Sequence, residues 1–179
     1  MTALACTTMS SPIGLLTLVA NDRALVTIEF EGDDDMHSDR ATRLSGASGA
    51  PGTAAHVAPR DHPVLAAVVR QLEEYFAGLR TEFDLPLDPS GTDFQQLVWR
   101  ALRDIPYGET ITYGQQADAI GRPGAFRAVG SANGRNPVAI ILPCHRVVGA
   151  DGSLVGFGGG LDVKRALLDL ESGVQQLPF

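Results

Sequence analysis

Residues 136–148 read NPVAIILPCHRVV, and this stretch decides how the chain is interpreted. An apolar run, Val138–Leu142, is followed by a proline, which places Cys144 where a strand would stop and the backbone would turn. His145 and Arg146 come next, and either cation would lower the pKa of the thiol. Because the thiolate is the reactive form of cysteine, the pattern favours a nucleophile at position 144. The alternative is a small buried hydrophobic residue, a common environment for free cysteine.

His145 is the candidate base for that nucleophile. Adjacent residues on a strand point to opposite faces, so a direct Cys144–His145 hydrogen bond requires a turn, and a bridging water is the other route for the proton. A third group must orient the imidazole, and Glu171 near the end of the last predicted helix is the candidate acid. Spacing alone leaves open whether Glu171 is instead a surface carboxylate.

Two neighbouring segments each allow two interpretations. Asn136-Pro137 is typical of a turn, or its side chain would act as a hydrogen-bonded brace for the Cys144 segment. The glycine-rich residues 156–160 (GFGGG) form either a flexible loop or a surface where the backbone comes close to a flat ligand, because glycine has no Cβ to clash. GFGGG lacks the spacing of a phosphate-binding loop.

The first half of the chain predicts a small sheet with a helix. Strand-like runs at Ile13–Ala20 and Ala24–Phe30 flank Asn21-Asp22-Arg23, which is typical of a hairpin. A helix is expected from Pro63 to Ala77, with Asp61 as a possible cap. Glu82–Leu87 (EFDLPL) alternates like a third strand, although Pro86 weakens that prediction.

The second half predicts a run of short helices. Capping-box patterns at Thr92 and Thr112 each indicate a helix start, and Arg122-Pro123 is expected to open a further helix that reaches about Asn133-Gly134. Two short helices joined by a tight turn containing glycine make a helix-turn-helix candidate, although many such pairs bind nothing. A last helix is expected over Asp162–Glu171.

The formal net charge of −7 is concentrated in residues 1–90, whereas residues 91–179 hold eight basic and eight acidic residues. Within residues 119–150 there are four arginines and no Asp or Glu, which is either a basic stripe or a chance cluster. Residues 32–60 contain three consecutive Asp and many small residues, so we expect a mobile loop.

Composition excludes several classes of protein. Two cysteines, Cys6 and Cys144, do not make a secreted disulfide scaffold. No apolar stretch approaches the length of a membrane span, and the N-terminus lacks the pattern of a signal peptide. We therefore expect a cytoplasmic protein in which Cys144 persists as a free thiol. Cys6 with His37, His56 and His62 has poor spacing for metal ligands, so no metal is expected.

Several motifs together resemble the O6-alkylguanine-DNA alkyltransferase (methylated-DNA–protein-cysteine methyltransferase) family. The most specific is Pro143-Cys144-His145-Arg146-Val147-Val148, and residues 91–171 carry most of the resemblance. The other matching segments are Asn136-Pro137, Phe94-Gln95-Gln96 to Trp99, Ile105-Pro106-Tyr107-Gly108-Glu109, Arg127-Ala128-Val129-Gly130, Gly158-Gly159-Gly160 with Lys164, and, more weakly, Ser11-Pro12-Ile13-Gly14.

The resemblance implies an α+β fold in two domains. Residues 1–90 would form a ribonuclease-H-like α/β domain with a small antiparallel sheet, and the segment 32–60 looks like an insertion in it. Residues 91–179 would form a mostly helical domain that carries a helix-turn-helix and the reactive cysteine.

The resemblance also implies roles for individual residues. Cys144 would accept the alkyl group, His145 would be the base acting through water, Glu171 would orient His145, and Asn136 would brace the turn. Tyr113 would donate to N3 of guanine. The guanine would be held by the N–H of Gly158 and by the carbonyls of Cys144 and Val147, in a pocket lined by Phe157. Arg127 would enter the stack in place of the flipped nucleotide. The DNA-contacting set would be Tyr113, Phe126, Arg127, Ala128 and Gly130.

The implied reaction is an irreversible displacement that moves the alkyl group from O6 of guanine to Cys144, once per molecule. The nucleotide must leave the stacked duplex to be reached, so the partner would be double-stranded DNA carrying O6-alkylguanine. No cofactor is needed, because the alkylated base carries its own leaving group. We expect a monomer.

Two residues depart from the family's commoner pattern. Phe157 stands where many relatives have tyrosine, so a hydroxyl near O6 is missing. Phe126 stands where a small residue is usual, and it would crowd a minor groove, insert as an apolar wedge, or pack against the first helix of the pair.

Two other classes of function stay open at this point. A helix-turn-helix module without chemistry would keep its activity when Cys144 is replaced by alanine. A thiol hydrolase would turn over many times on a small acyl substrate and would not need DNA.

Overall fold

The computed structural model describes residues 3–31 and 54–173, and the chain divides between Pro89 and Ser90 into two compact units. The first unit contains a four-stranded sheet and a helix. The strands are β1 (Leu4–Ser11), β2 (Gly14–Asn21), β3 (Leu25–Phe30) and β4 (Ala55–His56), and the helix is α1 (Pro63–Phe76). The spatial order is β3-β2-β1-β4.

Local side-chain hydrogen bonds make the turns of this sheet. The hairpin predicted around Asn21 is confirmed, since the Asn21 Oδ1 accepts from the N–H groups of Arg23 and Ala24 at 2.9 and 2.8 Å.

The sequence analysis missed β1, whose residues LACTTMSS show no clear alternation of apolar and polar side chains. Strands β1, β2 and β3 are antiparallel as expected, but β4 pairs parallel to β1, so the sheet is mixed.

The predicted strand Glu82–Leu87 is wrong apart from a single bridge between Leu87 and Leu25. The Gln71 side chain binds both backbone groups of Asp84, at 2.9 Å each, and thereby takes the place of a neighbouring strand. Pro86 has no N–H to donate to a ladder. These two effects leave the segment without the regular pairing of a strand.

The mobile loop predicted over residues 32–60 lies mostly outside the described residues. Its last part differs from the expectation, because β4 extends the sheet and Pro59–Asp61 forms a 3₁₀ turn. His62, rather than Asp61, caps α1: its Nδ1 accepts from the N–H of Leu65 at 3.4 Å. The apolar face of α1 is buried at Leu65, Val68, Leu72 and Tyr75.

The second unit is mostly helical. Its helices are α2 (Asp93–Leu102), α3 (Tyr113–Ala119), α4 (Phe126–Asn133) and α5 (Leu161–Ser172), and its two short strands are β5 (Ile111–Thr112) and β6 (Val147–Val148), which pair in parallel. Both predicted capping boxes are confirmed, at Thr92 with Gln95 and at Thr112 with Gln115.

Buried polar side chains join α2, α3 and α4. The indole N–H of Trp99 on α2 donates to the carbonyl of Ala132 on α4 at 2.8 Å. Gln116 on α3 donates to the carbonyl of Val98 at 3.1 Å and accepts from Asn133 at 2.7 Å. Because an unpaired buried amide is costly, these bonds fix how the helices of the predicted helix-turn-helix pack.

Two predictions about the backbone of this unit are corrected. Helix α4 begins at Phe126, not at Arg122-Pro123, because Gly124 adopts a positive φ of 82° that interrupts the helix. The apolar run Val138–Leu142 is buried but forms consecutive turns instead of a strand, and Ile140 has a positive φ of 74°.

No helix within the described parts of the chain is long and apolar enough to cross a membrane.

Candidate active site

Asn136 holds the turn that leads into Cys144. Its side-chain N–H donates to the carbonyl of Leu142 at 2.7 Å, and its Oδ1 accepts from the N–H of Val138 at 3.0 Å. One side chain therefore closes the turn made by the apolar run. The backbone continues into a 3₁₀ turn, Cys144–Arg146, followed by β6.

The environment of Cys144 corrects the expectation that its neighbours lower the thiol pKa. Cys144 is only 7% exposed, and burial raises its pKa; hydrogen bonding from Asn136 and the charge of Lys164 oppose that shift without overcoming it. Arg146 points to Glu171, and His145 is itself held neutral. The resting sulfur is therefore a thiol, and a base must take its proton when the reaction occurs.

A buried network of hydrogen bonds fixes His145. Its Nε2 lies 2.7 Å from one carboxylate oxygen of Glu171. Arg146 donates to both oxygens of the same carboxylate, from Nε at 2.8 Å and from Nη2 at 3.0 Å, and Nη1 donates to the carbonyl of Ile105 at 2.6 Å. The side chains of His145 and Glu171 are fully buried, so Glu171 is not a surface carboxylate.

The Glu171 carboxylate is ionised in spite of its burial. Desolvation alone would raise its pKa, but the hydrogen bonds and charges of His145 and Arg146 outweigh that effect and lower the pKa to about 2. The N–H of Gly108 adds a bond at 3.2 Å. Gly108 has a φ of 78°, and a Cβ there would lie 3.0 Å from the backbone oxygen of Glu171, so this close approach requires glycine.

The protonation of His145 follows from its two nitrogens. Burial lowers its pKa, and the opposing effect of Glu171 does not restore it, so the imidazole is neutral. A carboxylate accepts only, so Nε2 carries the proton and Nδ1 carries the lone pair. Nδ1 is buried and has no protein hydrogen-bond partner. The imidazole therefore has an acceptor nitrogen ready to take a proton.

Lys164 on α5 joins the site, although the sequence analysis gave it no role. Its side chain is fully buried, and Nζ donates to the carbonyls of Val147 and Val155 at 2.6 and 2.9 Å and to the Tyr113 hydroxyl at 3.4 Å. Burial lowers its pKa, and the opposing effect that Cys144 has as a thiolate does not overcome that shift. The sequence offered two signals for it: its place in a segment that resembles the family, and a lysine on the helix face that packs against the core.

We expect Lys164→Met to slow the reaction of Cys144, because the variant removes a cation that lowers the thiol pKa. Methionine keeps the volume and the apolar stem. Arg165→Met, at the exposed neighbour on the same helix, is the matched control and should react at the wild-type rate. Equal single-turnover rates for Lys164→Met and wild type would contradict the assigned role.

The remaining predicted residues near the site lie on helix α3 and in the glycine-rich segment 156–160. Tyr113 begins α3, and its hydroxyl donates to the carbonyl of Val155 at 2.9 Å. Burial, and then the negative charge that Cys144 carries as a thiolate, raise the pKa of Tyr113 to about 12, so the hydroxyl stays protonated. The Phe157 ring stands edge-on to His145, with centroids 6.5 Å apart, and Gly158 beside it is exposed.

Four of the five predicted DNA-contacting residues lie on α4, and the fifth, Tyr113, begins α3. Phe126, Arg127 and Ala128 are exposed, and a Cβ on Gly130 would lie 3.7 Å from the Tyr113 ring. The basic stripe is smaller than the sequence suggested, because Arg146 is buried on Glu171. Its exposed members are Arg122, Arg127 and Arg135.

Comparison with known proteins gives matches over both units. Residues 4–89 match the model for the ribonuclease-like domain of 6-O-methylguanine DNA methyltransferase, and residues 93–173 match the model for its DNA binding domain. The chain belongs to the 6-O-methylguanine DNA methyltransferase family. Both the resemblance stated from the sequence and the two-part α+β fold are confirmed.

Similar proteins and solved structures also support the assignment of this chain to the methyltransferase family. A methylated-DNA–protein-cysteine methyltransferase of Mycobacterium tuberculosis is 51% identical over 164 residues, which is 92% of this chain and 90% of the relative. One of Methanosarcina barkeri is 63% identical over 102 residues, covering 57% and 65%. A crystal structure of Mycobacterium tuberculosis OGT in complex with DNA superposes with a TM-score of 0.80 at 47% identity, covering 94% and 93%.

Across residues 3–31 and 54–173, no three His, Cys, Asp or Glu side chains are grouped as metal ligands.

Proposed function

We propose that this protein repairs DNA by moving an alkyl group, such as methyl, from O6 of guanine to its own Cys144, once per molecule. The observation that carries this proposal is the 3₁₀ turn in which Cys144 is followed by a neutral His145, with Nε2 held by Glu171 and a buried Nδ1 without a protein partner. That turn offers a nucleophile and a base in adjacent residues, and the family membership supplies the substrate class.

The proton and electron movements follow from the resting state of the site. The Cys144 proton passes to Nδ1 of His145 through a water molecule, and the sulfur attacks the alkyl carbon. The bond between that carbon and O6 breaks, and its electron pair stays with the guanine. Glu171 stabilises the imidazolium that forms, as an acid does for a histidine base in other nucleophilic sites. A thioether has no easy leaving group, so the protein acts once.

Tyr113 provides a hydrogen-bond donor that stabilises the negative charge on the departing base. Its raised pKa keeps the hydroxyl protonated, and it would turn from the carbonyl of Val155 to N3 of guanine. Val155 would not lose its donor in that movement, since Lys164 also binds its carbonyl at 2.9 Å. The Gly158 N–H would meet O6, and the carbonyls of Cys144 and Val147 would accept from the exocyclic amine, beside the ring of Phe157.

The substrate is double-stranded DNA that carries O6-alkylguanine, bound by a monomer in the cytoplasm. The alkyl carbon lies inside a stacked duplex, so the nucleotide must be extruded at a cost of a few kcal/mol. Arg127, exposed on the first turn of α4, would occupy the gap, and Ala128 and Gly130 on the same helix would allow close approach of the groove.

The direct test is to incubate stoichiometric protein with duplex DNA containing O6-methylguanine and to weigh the protein. One added methyl group, mapped to Cys144 and absent from Cys6, is the expected result. With lesion in excess, repair should stop at one equivalent. An unchanged mass with intact lesion would indicate a binding module, and repeated turnover on an acyl ester without DNA would indicate a thiol hydrolase.

The pH dependence should identify the base. The pKa of Cys144 is raised from 9.0 and that of His145 is lowered from 6.5, so thiol and neutral imidazole coexist across neutral pH. We expect the single-turnover rate at saturating DNA to be constant from about pH 6.5 to 8.5 and to fall only below that range, as His145 becomes protonated. A rate that instead rises about tenfold per pH unit would mean that hydroxide, not His145, removes the proton.

A further inference from the structure

Helix α4 presents an aromatic ring at the end where the proposed DNA contact lies. Phe126 is the first residue of the helix and is 49% exposed, whereas burial along the helix begins at Val129. The exposed half of this apolar side chain contributes nothing to the stability of the fold. Its packing against the first helix of the pair, one of three possibilities raised by the sequence, does not account for that exposure.

The ring is coupled to the arginine beside it. The guanidinium carbon of Arg127 lies 5.8 Å from the centroid of the Phe126 ring, within the range of a cation–π contact. Two flat groups therefore project together from one turn of helix. Such a contact also restricts an otherwise flexible arginine, which reduces the entropy lost when it is inserted.

The electrostatic surroundings favour DNA over another protein as the occupant. Residues 119–150 contain no Asp or Glu, and Arg122, Arg127 and Arg135 are exposed there. A polyanion is attracted by such a surface. The ring adds the stacking and wedging surface by which apolar side chains open base steps in a minor groove.

We propose that Phe126 and Arg127 act as one two-part wedge in which Arg127 fills the place of the extruded nucleotide and Phe126 stacks against the neighbouring base step. This inference rests on the proposed function and adds a determinant of duplex recognition to it. It predicts that Phe126 contributes to opening the duplex and contributes nothing to alkyl transfer once the base is in the pocket.

The test compares Phe126→Ala, Phe126→Leu and Arg127→Ala with the wild type on two substrates, a duplex with O6-methylguanine and the free base O6-benzylguanine. We expect Phe126→Ala to slow duplex repair by roughly tenfold, in line with the loss of one stacked base contact. The free-base rate should be unchanged. Phe126→Leu, which keeps apolar bulk without a π face, should fall between alanine and wild type.

Two further measurements examine the wedge itself. A 2-aminopurine placed next to the lesion should brighten on binding wild type and brighten less with Phe126→Ala, because the base step opens less. If the two residues act together, the double variant Phe126→Ala/Arg127→Ala should repair duplex faster than the product of the single effects predicts.

The outcomes separate this inference from the proposed function. Wild-type protein that gains neither a methyl group from the duplex nor a benzyl group from the free base would overturn the proposed function. Wild-type protein that repairs both, with Phe126→Ala equally fast on duplex, would overturn the wedge alone. Equal slowing of Phe126→Ala on duplex and free base would also overturn it, because that pattern assigns Phe126 a structural role.

Discussion

Cys144→Ser should lose alkyl transfer entirely, with no methyl group on the protein after prolonged incubation with O6-methylguanine duplex. A serine hydroxyl is a far weaker nucleophile than a thiol at neutral pH, and His145 would have to remove a much less acidic proton. The expected drop in rate is several orders of magnitude. Intact-protein mass and peptide mapping measure it directly.

The fold and the DNA contact should survive in this variant, because the change replaces one atom in a side chain that is 7% exposed. Cys144→Ser should therefore still bind lesion-containing duplex. Cys6→Ala is the matched control: Cys6 is also buried, at 2% exposed, but lies in the first unit against Val19 and Ala54. It should keep full transfer. Methyl recovered on Cys144→Ser would refute the assignment of the acceptor.

Glu171→Gln should lower the free energy of unfolding at pH 7 by about 3–5 kcal/mol, the usual cost of removing one partner from a buried ion pair. The variant leaves the Arg146 guanidinium without an anion in a buried site. It also removes the carboxylate that fixes His145, so transfer should slow in parallel. Urea unfolding followed through Trp99, the single tryptophan, reports on the unit that contains the site.

Acid should affect wild type and Glu171→Gln differently. The pKa of Glu171 falls from 4.5 to about 2 on folding, so its contribution is fully present above about pH 4.5 and is lost as the pH falls towards 2. That contribution is on the order of 3 kcal/mol. Glutamine does not titrate, so the variant should lack this component of the acid dependence. Asp169→Asn, exposed on the same helix, is the control and should stay within about 0.5 kcal/mol of wild type.

Local chemistry accounts for the parts of the fold that were predicted correctly. The capping boxes at Thr92 and Thr112 and the Asn21 hairpin depend on side chains that bind backbone groups two or three residues away. Such contacts can be predicted from residues that are close together in the sequence. The start of α4 was predicted too early because proline is common in the first turn of a helix, as Pro123 would be. In the structure the left-handed backbone of Gly124 prevents a helix from beginning there.

Contacts between distant segments explain what was missed. Glu82–Leu87 alternates like a strand, yet Gln71 on α1 satisfies the backbone of Asp84 in place of a partner strand. The apolar run before Cys144 resembles a strand by composition, yet Asn136 folds it into a turn. Neither Gln71 nor Asn136 shows by its type which backbone group it will bind.

From the sequence alone we could predict the family, propose a nucleophile at position 144 and locate most of the helices of the second unit, because these depend on residue type and on spacing within about one turn. The charges around the sulfur depend instead on how distant segments pack. Arg146 binds Glu171, Lys164 on α5 donates to the carbonyl of Val147, and burial of the thiol raises its pKa. The reason is physical: a pKa depends on solvent exclusion and on charges within a few ångströms, and those distances are set by how separate segments pack.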